Sequence, residues 1–243
     1  MKKSKTRLYF NKKLSPNIMI YIKEKQHHFL KNVLRIKVQD LITVFDGITG
    51  EWLSEVISIN RDNIVLQIKK RLSEIKNESD LWLIFSPIKI FRMNITIQKA
   101  TELGVSKFIP CITQNTNQTK INIRNLQMNI IEATEQSERL TLPKLNNVIK
   151  LNDLLKDFPN DRGLIFCNEN NKKLPNIFTA LPMYLKQYKK WAILVGPEGG
   201  FSEIETQEIL SIPSTIPVSL GKRILRSDTA TTAALFSIQS LIE

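Results

Sequence analysis

The chain has 243 residues, 42% of them hydrophobic, enough for one large or two modest domains with a proper core. No run approaches the ~20 apolar residues of a membrane span, and the basic start MKKSKTRLYFNKK lacks the apolar core of a secretory signal. Cys111 and Cys167 stand alone, too few for a disulfide framework or a zinc site, so a cytoplasmic protein is expected.

The net charge of +12, with a pI near 9.7, suits a polyanionic partner. A chain so rich in Lys, Asn and Ile carries part of that charge as coding bias, so its distribution matters more than its total. Residues 1–75 hold 15 lysines and arginines against 7 acidic residues, an excess of 8, and residues 76–243 hold 20 against 16. That asymmetry points to a nucleic-acid surface in the N-terminal part.

Residues 1–72 read mainly as short strands: LITVFDG (41–47), EWLSEVISI (51–59) and NIVLQIKKRL (63–72), separated by Asp-Gly, Thr-Gly and Arg-Asp-Asn turns. Such spacing predicts a small barrel or sandwich. One helix interrupts it, Lys23 to Leu34, with Phe29, Leu30, Val33 and Leu34 on one face. SEIKNESD (73–80) is the expected linker. From Leu81 strand and helix alternate: strands LWLIFSP, VSKFIPC, GLIFCNE, WAILVG and IPVSLG, with helices over Phe91–Leu103, Ile123–Arg139 and Thr229–Ile242. Alternation of this kind predicts a mostly parallel sheet covered by helices, over 81–243. Trp52, Trp82 and Trp191 all lie in apolar strands and read as core.

Two glycine-bearing loops follow the last two strands: GPEGGFSEIE from Gly196, and SLGKRILRSDTA ahead of the final helix. Gly196, Gly199 and Gly200 remove bulk, so that backbone groups can approach a ligand. Ser202 and Glu205 have the spacing of a capping box, and Ser227 or Asp228 can cap the final helix. In open α/β sheets such loops, at the carboxyl ends of strands, hold ligands. A P-loop is excluded, because no lysine follows Gly200, and the dinucleotide G-x-G-x-x-G is absent. Glu198 would repel a bare polyphosphate. A neutral or cationic cofactor fits, and an ordinary strand-to-helix turn stays open as the bland alternative.

GPEGGFSEIE with LGKRILRSDTA resembles the signature pair of the 16S ribosomal RNA uridine-N3 methyltransferases, the RsmE family of the SPOUT superfamily. The similarity extends to IQKATELGVSKFIP (97–110), EATEQSERLTLPKL (132–145) and HHFLKNVLRIKVQDLITVFDG (27–47). The resemblance implies an α/β fold, with an N-terminal PUA-like β-barrel that binds RNA and a C-terminal SPOUT-type trefoil-knot domain. It also implies a homodimer, an S-adenosyl-L-methionine pocket, no metal, and 16S ribosomal RNA or the small ribosomal subunit as partner. Other knotted methyltransferases, acting on tRNA or a ribose 2′-hydroxyl, and a non-catalytic RNA-binding assembly factor are the competing readings.

Under that resemblance the cofactor residues are Leu194, Val195, Gly196, Pro197, Gly199 and Gly200 in the first loop. In the second they are Leu220, Gly221, Ile224, Leu225 and Arg226. Methylating uracil N3 calls for a cation beside the carbonyls as the base turns anionic, which nominates Arg226. Glu198 and Asp228 are the carboxylates available to take the N3 proton. Arg7, Lys31, Arg35, Lys37, Arg139 and Arg223 are the expected RNA contacts. Two positions depart from the family pattern: Gln39 replaces a usual glycine, and Asp228 a usual glutamate.

Overall fold

The computed structural model describes residues 4–76, 78–168 and 173–242. Met1–Lys3 of the basic start, Asn77 of the expected linker and Glu169 of the GLIFCNE strand lie outside the described residues. The chain divides into two compact units, Met1–Asn77 with Thr134–Leu142, and Glu78–Ala133 with Pro143–Glu243.

The first unit is built on a five-stranded sheet of β1 (Arg7–Tyr9), β2 (Met19–Ile22), β3 (Leu41–Phe45), β4 (Glu51–Ile59) and β5 (Ile64–Ser73). Its order is β1-β3-β4-β5-β2, with β1 parallel to β3 and every other pair antiparallel. Alternation sets one face inward: Ile64, Leu66 and Ile68 of β5 are buried, and Ile20 and Ile22 of β2 sit opposite Leu66 and Ile64. Each such side chain contributes roughly 1.5–3 kcal/mol. Three register shifts between β4 and β5 bend this pair, as bulges do.

The Asp-Gly turn after β3 has a clear chemical cause. Asp46 accepts from the amides of Leu14, Ile48 and Thr49 and from the Thr49 hydroxyl. Burial pushes its carboxyl up, but these hydrogen bonds outweigh it and hold the pKa below the usual carboxylate range.

The expected helix over Lys23–Leu34 is α1 (Glu24–His28) followed by a π-helical turn, Phe29–Val33. The Leu34 amide reaches back to the Phe29 carbonyl, which widens the turn and breaks the apolar stripe. Leu30 alone of the four is fully buried, while Phe29 and Val33 are exposed. Gln39 has φ +69°, the left-handed region that favours glycine, which accounts for the family's usual residue there.

The second unit carries β6 (Leu81–Phe85), β7 (Lys107–Ile112), β8 (Lys144–Leu145), β9 (Ile149–Lys150), β10 (Arg162–Cys167), β11 (Lys190–Val195) and β12 (Thr215–Val218). They form one parallel sheet, ordered β12-β10-β11-β6-β7-β8, with β9 also on β7. Its helices are α2 (Ile90–Glu102), α3 (Ile123–Gln136, whose end belongs to the first unit), α4 (Leu151–Lys156), α5 (Ile177–Ala180), α6 (Glu203–Ser211) and α7 (Ser227–Ile242). Trp191–Val195 of central β11 are all buried, which is why that strand reads as an unbroken apolar run.

At the start of the strands lies Arg162, only 2% exposed. It donates to the Asp80 carboxylate at 2.6 Å and to the carbonyls of Asp80 and Trp191, and it stacks on Trp82. Trp52 and Trp191 are core as expected. Trp82 is only half-buried, and Lys107 also lies over its ring, 3.7 Å from the centroid.

Candidate functional site

Strands β10, β11 and β12 are neighbours, and all three end on the same side of the sheet. Their C-terminal loops enclose a cleft of about 220 Å³. The first wall is the Gly196–Phe201 loop, whose backbone has almost no spare room. A Cβ on Gly196 would lie 2.7 Å from the Phe201 ring. That ring is fixed edge-on against Phe166. The second wall is the Ser219–Arg226 loop, where Gly221 has φ +127° and its missing Cβ would meet nothing within 4 Å. Ser227 ties the walls together by donating from Oγ to the Gly196 carbonyl at 3.0 Å. Its expected role as a helix cap is therefore exchanged for a loop-to-loop bond.

Beyond the first loop, the sequence-read capping box is present. Ser202 accepts from the Glu205 amide, and the Glu205 carboxylate accepts from the Ser202 amide. Glu205 also accepts from the Gln114 amide, so a buried carboxylate joins the start of α6 to the loop after β7.

Val195, Gly196, Pro197, Glu198 and Gly200 line the cleft, as do Leu220, Gly221, Arg223, Ile224, Leu225 and Arg226. Two expected cofactor residues, Leu194 and Gly199, are not on the lining of the cleft. Leu194 is 1% exposed, its side chain packed in the sheet core. Gly199 faces Asn115 rather than the cleft, and its Cβ would meet the Asn115 Cβ at 3.1 Å. Asp228 is placed elsewhere too. It does not line the cleft, and both its oxygens lie 3.5 Å from the Arg92 guanidinium at the start of α2. Glu198 is the carboxylate that remains on the cleft, and it is exposed.

Cys167, Asn168 and Ser219 also line the cleft and were missed in the sequence, where GLIFCNE read only as a strand. The signal was available: a third parallel strand ends there. Burial pushes the Cys167 thiol up to about 12, so it is a neutral group near pH 7 rather than a thiolate nucleophile. Arg92 was missed too, since nothing in a helical segment marks a side chain that meets another helix.

The RNA candidates of the first unit divide into two kinds. Arg35 and Lys37 are exposed, on the connection from the π-helical turn to β3, and Lys31 donates to the Asn60 carbonyl. Arg7 is corrected to a tertiary anchor. Its Nε pairs with Glu51 at 2.6 Å, and its terminal nitrogens cap the carbonyls of Thr134, Glu135 and Arg139. The guanidinium lies over the Phe45 ring, 3.8 Å from its centroid. With all three nitrogens engaged, Arg7 is spent on structure. Arg139 is half-buried and reaches the Thr141 hydroxyl at 3.4 Å.

Comparison with known proteins decides the family. The profile of the RNA methyltransferase domain matches residues 76–239, and that of the RNA methyltransferase PUA domain matches residues 22–69. The ribosomal RNA small subunit methyltransferase E of Rickettsia conorii is 36% identical over 97% of this chain and 95% of its own length. This chain belongs to the ribosomal RNA small subunit methyltransferase E family. A second member, from Buchnera aphidicola of Schizaphis graminum, is 30% identical over 98% of this chain and 97% of its own. The crystal structure of the Neisseria gonorrhoeae member, bound to S-adenosyl methionine, superposes with a TM-score of 0.86. It is 28% identical and covers 97% of each chain. The fold is accordingly α/β, an N-terminal PUA domain followed by a SPOUT-type methyltransferase domain.

The cleft fits such a cofactor. The buried side chains of Val195, Phe201 and Val218 give it apolar walls.

Proposed function

We propose that this protein transfers a methyl group from S-adenosylmethionine to N3 of a specific uridine in 16S ribosomal RNA. The observation that carries the reading is the cleft formed by two glycine loops and joined by the Ser227–Gly196 bond, in a chain of this family. Bound there, the cofactor would supply a methyl group already activated by its sulfonium. The task left to the protein is to position uracil and to stabilise it as N3 loses its proton.

Arg226, exposed at the cleft edge, is the cation assigned to the uracil carbonyl oxygens. Glu198 is the carboxylate assigned to the N3 proton. Asp228 is assigned the task of holding Arg92, which leaves Lys222 and Arg223 on the rim for the RNA phosphates. The first unit is assigned RNA binding through Lys31, Arg35 and Lys37, with Arg139 as a further contact. A homodimer is supported by the apolar side chains left exposed on α2 and α7, Phe91 at 74% and Phe236 at 60%. We further assign a cytoplasmic location and the knotted threading implied by the resemblance; no described helix is long and apolar enough to cross a membrane.

Mass-spectrometric mapping of ribosomal RNA from a deletion strain tests the reading. Loss of one N3-methyluridine from 16S RNA, restored by the purified protein on small subunits, is expected. A lesion in tRNA or at a ribose 2′-hydroxyl, or no lesion at all, would overturn it. Charge reversal at Arg35 and Lys37 is expected to weaken RNA binding and flatten its salt dependence without altering cofactor affinity.

A further inference from the structure

None of the residues of the loop after β7 lines the cleft, yet this loop holds the back of the first glycine loop. Asn115 donates from one Nδ2 to two carbonyls, that of Gly199 at 3.0 Å and that of Gly200 at 3.2 Å. Both partners are acceptors, so the amide orientation is fixed by chemistry. The next residue back, Gln114, donates its amide to the Glu205 carboxylate at 2.7 Å. Thr113 and Thr116 bond each other through backbone and hydroxyl, which stiffens the turn that presents Asn115. The contact is close, for a Cβ on Gly199 would stand 3.1 Å from that of Asn115.

From this geometry we infer that Asn115 is a positioning residue for the cofactor pocket, an inference that rests on the cofactor reading above. Its amide draws the Gly199 and Gly200 carbonyls away from the cleft. The opposite edge of the same loop, at Gly196, Pro197 and Gly200, is thereby set in place as the cleft wall. The 113–118 loop acts on affinity without touching the ligand.

The test uses the full-length protein and S-adenosylmethionine itself, by titration calorimetry. Asn115→Ala frees both carbonyls and is expected to weaken binding about tenfold. Asn115→Asp keeps the shape but sets an oxyanion against two carbonyl oxygens, and a larger loss is expected. Gln118→Ala breaks a bond in the same loop, to the Lys120 carbonyl, and is expected to leave affinity unchanged. In steady state the Asn115 variants should raise KM for the cofactor while kcat at saturation stays within about twofold of wild type. Equal affinity in wild type and both Asn115 variants overturns the inference, as does an equal loss in Gln118→Ala. A wild-type protein that binds no S-adenosylmethionine instead overturns the cofactor reading, so the two failures are separable.

Discussion

From Gly196 to Phe201 the cleft wall is braced from behind, whereas from Ser219 to Arg226 it stands in solvent. Phe201 fills the space beneath Gly196, Asn115 holds two carbonyls, and the Ser202–Glu205 box starts α6 at once. The second loop has open space at Gly221, and its Ile224 is 79% exposed. A wall with many partners has its shape before a ligand arrives, so it can supply preorganisation. A wall with few partners takes its final form from what it meets, and here that is the wall carrying Arg226. Rigidity and cationic charge are thus divided between the loops.

The largest expected effect lies on the exposed wall. Arg226→Ala should slow methyl transfer by roughly 10²–10³ while cofactor affinity and assembly are kept, as for loss of one charge-stabilising donor. Single-turnover kinetics on small subunits measures it. A rate within a few-fold of wild type would reduce Arg226 to a loop residue.

On the braced wall, Gly196→Ala places a methyl against the Phe201 ring and is expected to cost about 1–3 kcal/mol of stability, with weaker cofactor binding. Thermal melts with and without S-adenosylmethionine read both effects. An unchanged melting temperature would mean that Phe201 yields freely, and the wall is not braced after all. Gly221→Ala meets no atom, only an unfavourable backbone angle, so about 1 kcal/mol is expected. A loss larger than that of Gly196→Ala would reverse the comparison.

The same backbone cost can be read in the opposite direction at Gln39, where a side chain already occupies a left-handed position. Gln39→Gly is expected to stabilise the chain by about 0.5–1 kcal/mol, since glycine bears little strain there. Urea unfolding should show a higher midpoint with an unchanged slope. A lower midpoint would show that the Gln39 side chain makes a contact worth more than the strain.

How much of the site was legible follows from how local each part is. The Ser202–Glu205 capping box and the loop at Gly196 are set by neighbours within a few residues, so spacing alone reveals them. That the Leu194 side chain is buried in the core was not legible, because membership of a loop motif says nothing about which side of the strand a residue takes. Asp228 and Arg92 are far apart in the chain, and their pairing depends on how α2 meets α7. Strands β8 and β9, two residues each, and the short helix α5 lack the length for any period to show.

The sequence by itself determined the alternation of strand and helix after Leu81, the basic excess before residue 75, the glycine loops and the family motifs they carry. All of these rest on side-chain period, turn chemistry and charge, which act between near neighbours. Tertiary structure alone decided that Arg7 is consumed in capping the end of α3, that Asp228 faces Arg92, and that Asn115 stands behind Gly199. A guanidinium, a carboxylate or an amide has the same bonding capacity wherever it lies in the chain. Which partner it meets is set only when distant segments are packed together, and that packing separates the residues spent on structure from those left for chemistry.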